Sequence, residues 1–169
     1  MRTTTLLGNL ASVVLTSAVG GLATRPAVQS TWYRKLGKPR YQPPRWVFPV
    51  IWPALYADIA AVSSSTIDQL RNRQENRAAR TFVVALGINL VLNAGWSWLF
   101  FNRRWLAVAV AANVALTTSS ADLTRRAIGA VGVRAAPLAL YPLWCAFVTQ
   151  LSLHIWMINR RKRFERRDT

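Results

Sequence analysis

Cysteine and histidine are nearly absent from this chain: Cys145 and His154 each occur once in 169 residues. A single cysteine excludes an intrachain disulfide and any cysteine-rich metal site. A single histidine without convergent carboxylates leaves no nucleophile–histidine–acid set and no metal cluster, so no metal is expected. Acids are scarce as well, with six Asp and Glu against 22 Lys and Arg and a formal net charge of +16. Internal repeats and low-complexity tracts are also lacking. What the chain has in quantity is apolar surface: 52% hydrophobic residues, including eight tryptophans. That is rich for a soluble domain of this charge, and the length suits one domain over residues 1–169.

The apolar residues fall into five blocks nearly free of charge, at about 6–24, 46–67, 81–101, 105–123 and 135–158. A helix of about 20 residues, rising 1.5 Å per residue, crosses the roughly 30 Å of bilayer hydrocarbon. The expected fold is therefore all-α, a polytopic bundle of five transmembrane helices. A basic nucleic-acid-binding domain is the competing reading of the charge, but no Lys or Arg lies well inside a block. All sit where they reach lipid headgroups, so the expected partner is the bilayer and no nucleic acid. Block one is read as a span rather than a cleaved signal, because Asn9, Ser12, Thr16 and Ser17 suit a helix packed against others. Eight basic residues fall on the N-terminal side of the membrane and fourteen on the other, which places the N-terminus outside and the basic tail, 159–169, in the cytoplasm. The second loop, "SSSTIDQLRNRQENRAAR", reads as extramembrane. The third, "NRR", is a tight turn that pairs the flanking spans antiparallel.

The stretch "WYRKLGKPRYQPPRWVFPVIWPALY", residues 32–56, combines prolines, tryptophans and cations. Prolines 39, 43, 44 and 49 remove donors and disfavour helix before them, so residues 37–44 should be extended, with Pro44 starting the second span. Trp32 suits the headgroup boundary. Trp52 and Tyr56 share a face deeper in the span. In the third block Asn89, Asn93, Trp96 and Phe100 recur at helical spacing. In the fifth, Trp144 and Val148 lie on one side, with Thr149, Gln150 and Ser152 offering polar atoms. Polar groups turned to lipid are costly, so these strips should face inward. They either glue the helices together or line a cavity for a flat, mostly apolar ligand with acidic edges.

"WYRKLGKPRYQPPRWVFPVIWPALY", "LVLNAGWSWLFF" and "YPLWCAFVTQLSLHIWMIN" resemble, in order and over about residues 30–159, the translocator protein family. These are the tryptophan-rich sensory proteins (TspO/MBR), related to the peripheral-type benzodiazepine receptor, and the likeness is to bacterial members. The resemblance implies a five-helix bundle with a pocket near the first loop, which binds protoporphyrin IX, heme and benzodiazepine-type ligands and, in animal members, cholesterol. It implies that Tyr33 lies in the lid, Trp52 flanks the ligand, Asn93 and Trp96 line the third span, and Trp144 faces Trp52. Tyr56 and Val148 complete the expected ligand set, and Trp32, Arg34 and Lys35 the entrance. Small Ala94 and Gly95 leave room beside Asn93. Leu153 and His154 stand where the animal sterol segment needs a tyrosine, which argues against specific cholesterol recognition. A homodimer in a bacterial cell membrane is expected, closed by Ala107, Ala111 and Ala115 or by Gly87 and Gly95.

The expected function is therefore tetrapyrrole binding for sensing, sequestration or transport, with the tetrapyrrole as ligand and no required cofactor. Two alternatives stand beside it. One is light-dependent oxidation of a bound porphyrin with Trp52 and Trp144 as redox-active neighbours. The other is proton-coupled transport using Asp58, an intramembrane carboxylate, although Asp58 is first read as protonated or hydrogen-bonded to a polar residue such as Asn113. His154 and Cys145 are read as structural.

Overall fold

The computed structural model describes residues 2–165, with side chains to residue 161. It is built of helices: α1 (Thr3–Gln29), the short α2 (Thr31–Lys35), α3 (Val47–Asn72), α4 (Asn76–Ser97), α5 (Leu106–Val131) and α6 (Leu140–Glu165). A π-helical turn, Trp98–Asn102, continues α4, and a 3₁₀ segment, Gly132–Ala139, leads into α6. Four stretches are long and apolar enough to cross a membrane: Thr3–Gln29, Val47–Asn72, Asn76–Asn102 and Leu106–Arg161, the last containing both α5 and α6. Large apolar side chains stand outward along them, among them Leu22, Val50, Val91 and Leu143, the surface hydrocarbon would solvate. The protein is an integral membrane protein on this composition and shape.

Several boundaries differ from expectation. The stretch 63–80, read as an extramembrane loop, is almost wholly helical. Ser64, Ser65 and Thr66 return their hydroxyls to the carbonyls of Ala60, Ala61 and Val62, so their polarity is met inside the helix and α3 runs on to Asn72. The turn shrinks to residues 73–75. It is a Schellman closure, with Glu75 N–H donating to Leu70 O and Gln74 N–H to Arg71 O, and Gln74 takes the left-handed φ of 62°. Pro44 does not start the second span. Val47 does, after a turn in which its N–H donates to Pro44 O. Residues 37–44 contain no helix, as the prolines require. The fifth block begins in 3₁₀ form, following Gly132 at φ 64°, ψ −143°, a conformation only glycine adopts readily. The tail expected over 159–169 enters α6 as far as Glu165; its residues 166–169, and the side chains from 162 on, lie outside the described residues.

The packing order positions the pocket. Helix α1 packs on α3 and α4, α4 packs on α5, and α5 on α6. The α4–α5 pairing follows from the tight connection between them, in which Trp105 N–H reaches back to Leu99 O and Arg104 turns through φ 58°. Helix α6 leans on α5 and barely reaches α3, and its backbone does not approach α1. The space left between α1, α3, α4 and α6 is the cavity.

Candidate ligand pocket

The cavity has a volume of about 440 Å³, inside the range of roughly 300–1,000 Å³ typical of small-molecule sites. Its wall on α3 and α4 is aromatic. The Trp52 ring lies 5.7 Å from Tyr56 and 6.5 Å from Trp96. Trp96 in turn meets Phe100 at 6.2 Å and Phe101 at 6.1 Å. The π-helical turn has a role here: its wider winding sets Phe100 and Phe101, 4.9 Å apart, both on the cavity. Gly20 and Gly21 of α1 and Val148, Leu151, Ser152 and Ile155 of α6 face this wall.

The first loop roofs the space. Ser30 caps α2 by accepting from Tyr33 N–H at 3.2 Å, which turns the Tyr33 ring inward to an exposure of only 8%. Lys38 lies 4.0 Å from the centre of that ring and donates to Tyr33 O at 2.5 Å. Burial raises the Tyr33 hydroxyl above its ordinary value, partly offset by the hydrogen bond from Gln42 and by the Arg45 charge. Burial and the same arginine hold the Lys38 ammonium below its usual range. Two residues of α6 tie the loop down. The Asn159 amide exchanges a pair of 2.9 Å hydrogen bonds with the N–H and C=O of Gly37, and His154 Nδ1 meets the Tyr41 hydroxyl at 2.5 Å.

Polar atoms at the cavity fall into two groups. At the floor, Tyr56 donates to Asn93 Oδ1 at 2.9 Å, and Asn93 Nδ2 donates to the Tyr141 hydroxyl at 2.9 Å. Higher up, Trp96 Nε1 and Gln42 Oε1 are buried and have no partner. Arg25 and Arg45 line the rim with exposed side chains and no ion pair among the described residues. An unpaired donor and acceptor beside an apolar face, with two cations above, suit an aromatic ligand bearing polar or anionic edges.

Of the expected ligand residues, Tyr33, Trp52, Tyr56, Asn93, Trp96 and Val148 all line the cavity. Trp144 does not. Its ring packs on Phe48 at 5.8 Å and Phe147 at 5.3 Å, behind the wall rather than across from Trp52. Trp32 sits edge-on to Phe100 at 6.3 Å under the Arg104 guanidinium, outside the lining. Arg34 and Lys35 are exposed on α2 away from the cavity, and the rim cations are Arg25 and Arg45 instead. Asp58 makes no bond to Asn113, whose Nδ2 donates to Ser152 at 3.0 Å; Asp58 Oδ2 is left without a partner. Gln42, flanked by prolines in a loop, and Tyr141, in the "YP" of the fifth block, gave no periodic signal.

A family model described as the TspO/MBR family matches residues 9–157. The chain belongs to the TspO/MBR family. Among its relatives, the translocator protein of Bos taurus is 35% identical over 141 residues, covering 80% of this chain and 79% of that one. The translocator protein of Homo sapiens is 34% identical over 141 residues, 80% of this chain and 79% of that one. The tryptophan-rich protein TspO of Chlorobaculum tepidum is 30% identical over 145 residues, 84% of this chain and 89% of its own. In this TspO/MBR chain the matched span holds every residue that lines the cavity, from Ser17 on α1 to Ile155 on α6.

Proposed function

We propose that this membrane protein binds a tetrapyrrole, protoporphyrin IX or heme, between α1, α3, α4 and α6, to sense, sequester or move it. The observation that carries the reading is the unpaired Trp96 indole N–H in a wall of stacked rings, below the guanidinium groups of Arg25 and Arg45, which meet no acid among the described residues. A macrocycle stacks on Trp52 and Trp96, its carboxylates pair with the rim arginines, and Tyr33 with Gln42 closes over it. Helices α1, α3, α4, α5 and α6 each cross the bilayer, with the N-terminus outside a bacterial cell membrane. The expected homodimer closes on Ala107, Ala111 and Ala115 along α5 or on Gly87 and Gly95 of α4; the three alanines and Gly87 are exposed.

Titrating protoporphyrin IX while following tryptophan fluorescence tests this. Trp52→Phe should weaken binding about tenfold, the worth of roughly 1.4 kcal/mol of aromatic contact. Trp105→Phe, at the exposed end of α5, should leave it unchanged; equal affinities in the two variants overturn the pocket. Photo-oxidation of bound porphyrin is the second reading, favoured by the 6.5 Å Trp52–Trp96 pair within the wall. Unaltered product formation in illuminated Trp52→Phe and Trp96→Phe proteins sinks it.

A further inference from the structure

The floor of the pocket does not end at Asn93. Tyr141 accepts from Asn93 Nδ2 and donates onward to Asn89 Oδ1 at 2.8 Å, and Asn89 Nδ2 donates to Ser119 Oγ at 3.2 Å. Four hydrogen bonds thus run in one direction from Tyr56 at the cavity, through α4 and α6, to the α4–α5 seam. Asn89 and Tyr141 are 0% exposed and touch no part of the cavity. Helix packing alone would be served by apolar side chains here, at less desolvation cost.

Every member of this chain is amphoteric. Tyrosine and serine hydroxyls donate and accept, and each primary amide has both a carbonyl and an N–H end. Turning both amides over reverses the direction while keeping all four bonds: Ser119 to Asn89, Asn89 to Tyr141, Tyr141 to Asn93, Asn93 to Tyr56. In the direction observed, the Tyr56 proton is committed to Asn93 and its hydroxyl can offer the cavity only a lone pair. In the reversed direction Tyr56 accepts from Asn93 and its proton is free for the ligand.

We propose that Tyr141 and Asn89 are specificity-determining positioning residues, setting through Asn93 whether Tyr56 presents a hydrogen-bond acceptor or a donor to the ligand. The site then takes planar ligands whose inner edge carries either kind of group, such as the N–H and C=O of a lactam. This rests on the reading of the cavity as a tetrapyrrole site.

Two measurements on the full chain test it. The first compares two probes by tryptophan quenching. Protoporphyrin IX carries only vinyl and methyl groups opposite its propionates, whereas biliverdin carries lactams there. Tyr141→Phe should weaken biliverdin about threefold to tenfold, the worth of one net hydrogen bond, and protoporphyrin IX less than twofold. Equal changes for both probes, or none for either, mean that Tyr141 only packs, and overturn the proposal. The second needs no ligand. In [15N]asparagine-labelled protein, Tyr56→Phe should shift the side-chain amide resonances of both Asn93 and Asn89, though Tyr56 touches only the former. A shift confined to Asn93 overturns the relay. If neither probe binds the natural chain, the tetrapyrrole reading fails and the amide resonances alone decide whether the relay exists.

Discussion

The two ends of the bundle treat polar groups in opposite ways. At the end where α1 begins, they are paired across helices. Asp68, only 4% exposed, accepts from the Arg2 N–H and, at 2.8 Å, from the Thr5 hydroxyl. One turn deeper, Asn9 donates to Ser64 at 2.8 Å. At the other end, under the first loop, Trp96 Nε1 and Gln42 Oε1 are buried without partners, and the arginines at the rim carry no ion pair among the described residues, Arg45 lying over the Tyr33 ring. Unpaired buried polar groups are costly in a fold and therefore rare. Of those among the described residues, Trp96 Nε1 and Gln42 Oε1 belong to residues that line the cavity, where something other than the protein can complete the bonding. Stability should therefore respond to substitutions at the Asp68 end, and affinity to those at the Trp96 end.

The largest effect that can break this division is at Asp68. Its removal strands the N–H of Arg2, the residue that precedes α1, and the Thr5 hydroxyl, so Asp68→Ala should cost about 3 kcal/mol of stability, read as a lower Tm in detergent. Porphyrin affinity of the protein that remains folded should be unchanged; a parallel loss of affinity would show the ends to be one unit. Trp96→Phe reverses the pattern. It deletes the unpaired N–H and trims the indole to a single ring, so affinity should fall at least about fivefold, the worth of one net hydrogen bond, while Tm falls by less than in Asp68→Ala. Asn159→Ala sharpens the comparison by releasing Gly37 of the roof from α6. Ligand dissociation should quicken about threefold, within the range of one interhelical hydrogen bond, measured by stopped-flow quenching. The smallest effect is alkaline. The Tyr33 hydroxyl is raised above 10.0 by burial, so above pH 10 the unfolded chain gives up its proton first. Stability present below pH 10 is then lost as pH rises through the folded value. Tyr33→Phe should flatten that part of a Tm-against-pH curve.

Length and hydropathy were enough to mark the helices that could span a bilayer, because burial in lipid demands about 20 apolar residues whatever the neighbours are. Helix ends were less legible. The run from Ser63 to Arg80 is polar by composition, yet Ser64, Thr66 and Asp68 are buried. Their partners are backbone carbonyls one turn back and the start of α1, and only the first of these is local in sequence. Helical periodicity, three or four residues to a turn, located Trp52, Tyr56, Asn93, Trp96 and Val148 because each lies on an inward helical face. Trp144 shares a face with Val148 and still misses the cavity, since its ring lies on Phe48 of α3 and on Phe147 of its own helix. Arg25, Gln42 and Arg45 were passed over because a cation or amide at a helix end or in a proline-rich loop carries no periodic mark.

By itself, then, the order of residues determined the class of solvent, the helical content, the stiff non-helical loop and the aromatic faces, all set by transfer free energies and backbone sterics acting over a few residues. The tertiary arrangement decided which faces meet and which stand apart. The gap between α6 and α1, the cations at its rim and the Tyr56–Asn93–Tyr141–Asn89–Ser119 chain depend on helix tilts and crossings. Those follow from the summed packing of many side chains, not from the pattern within any one helix.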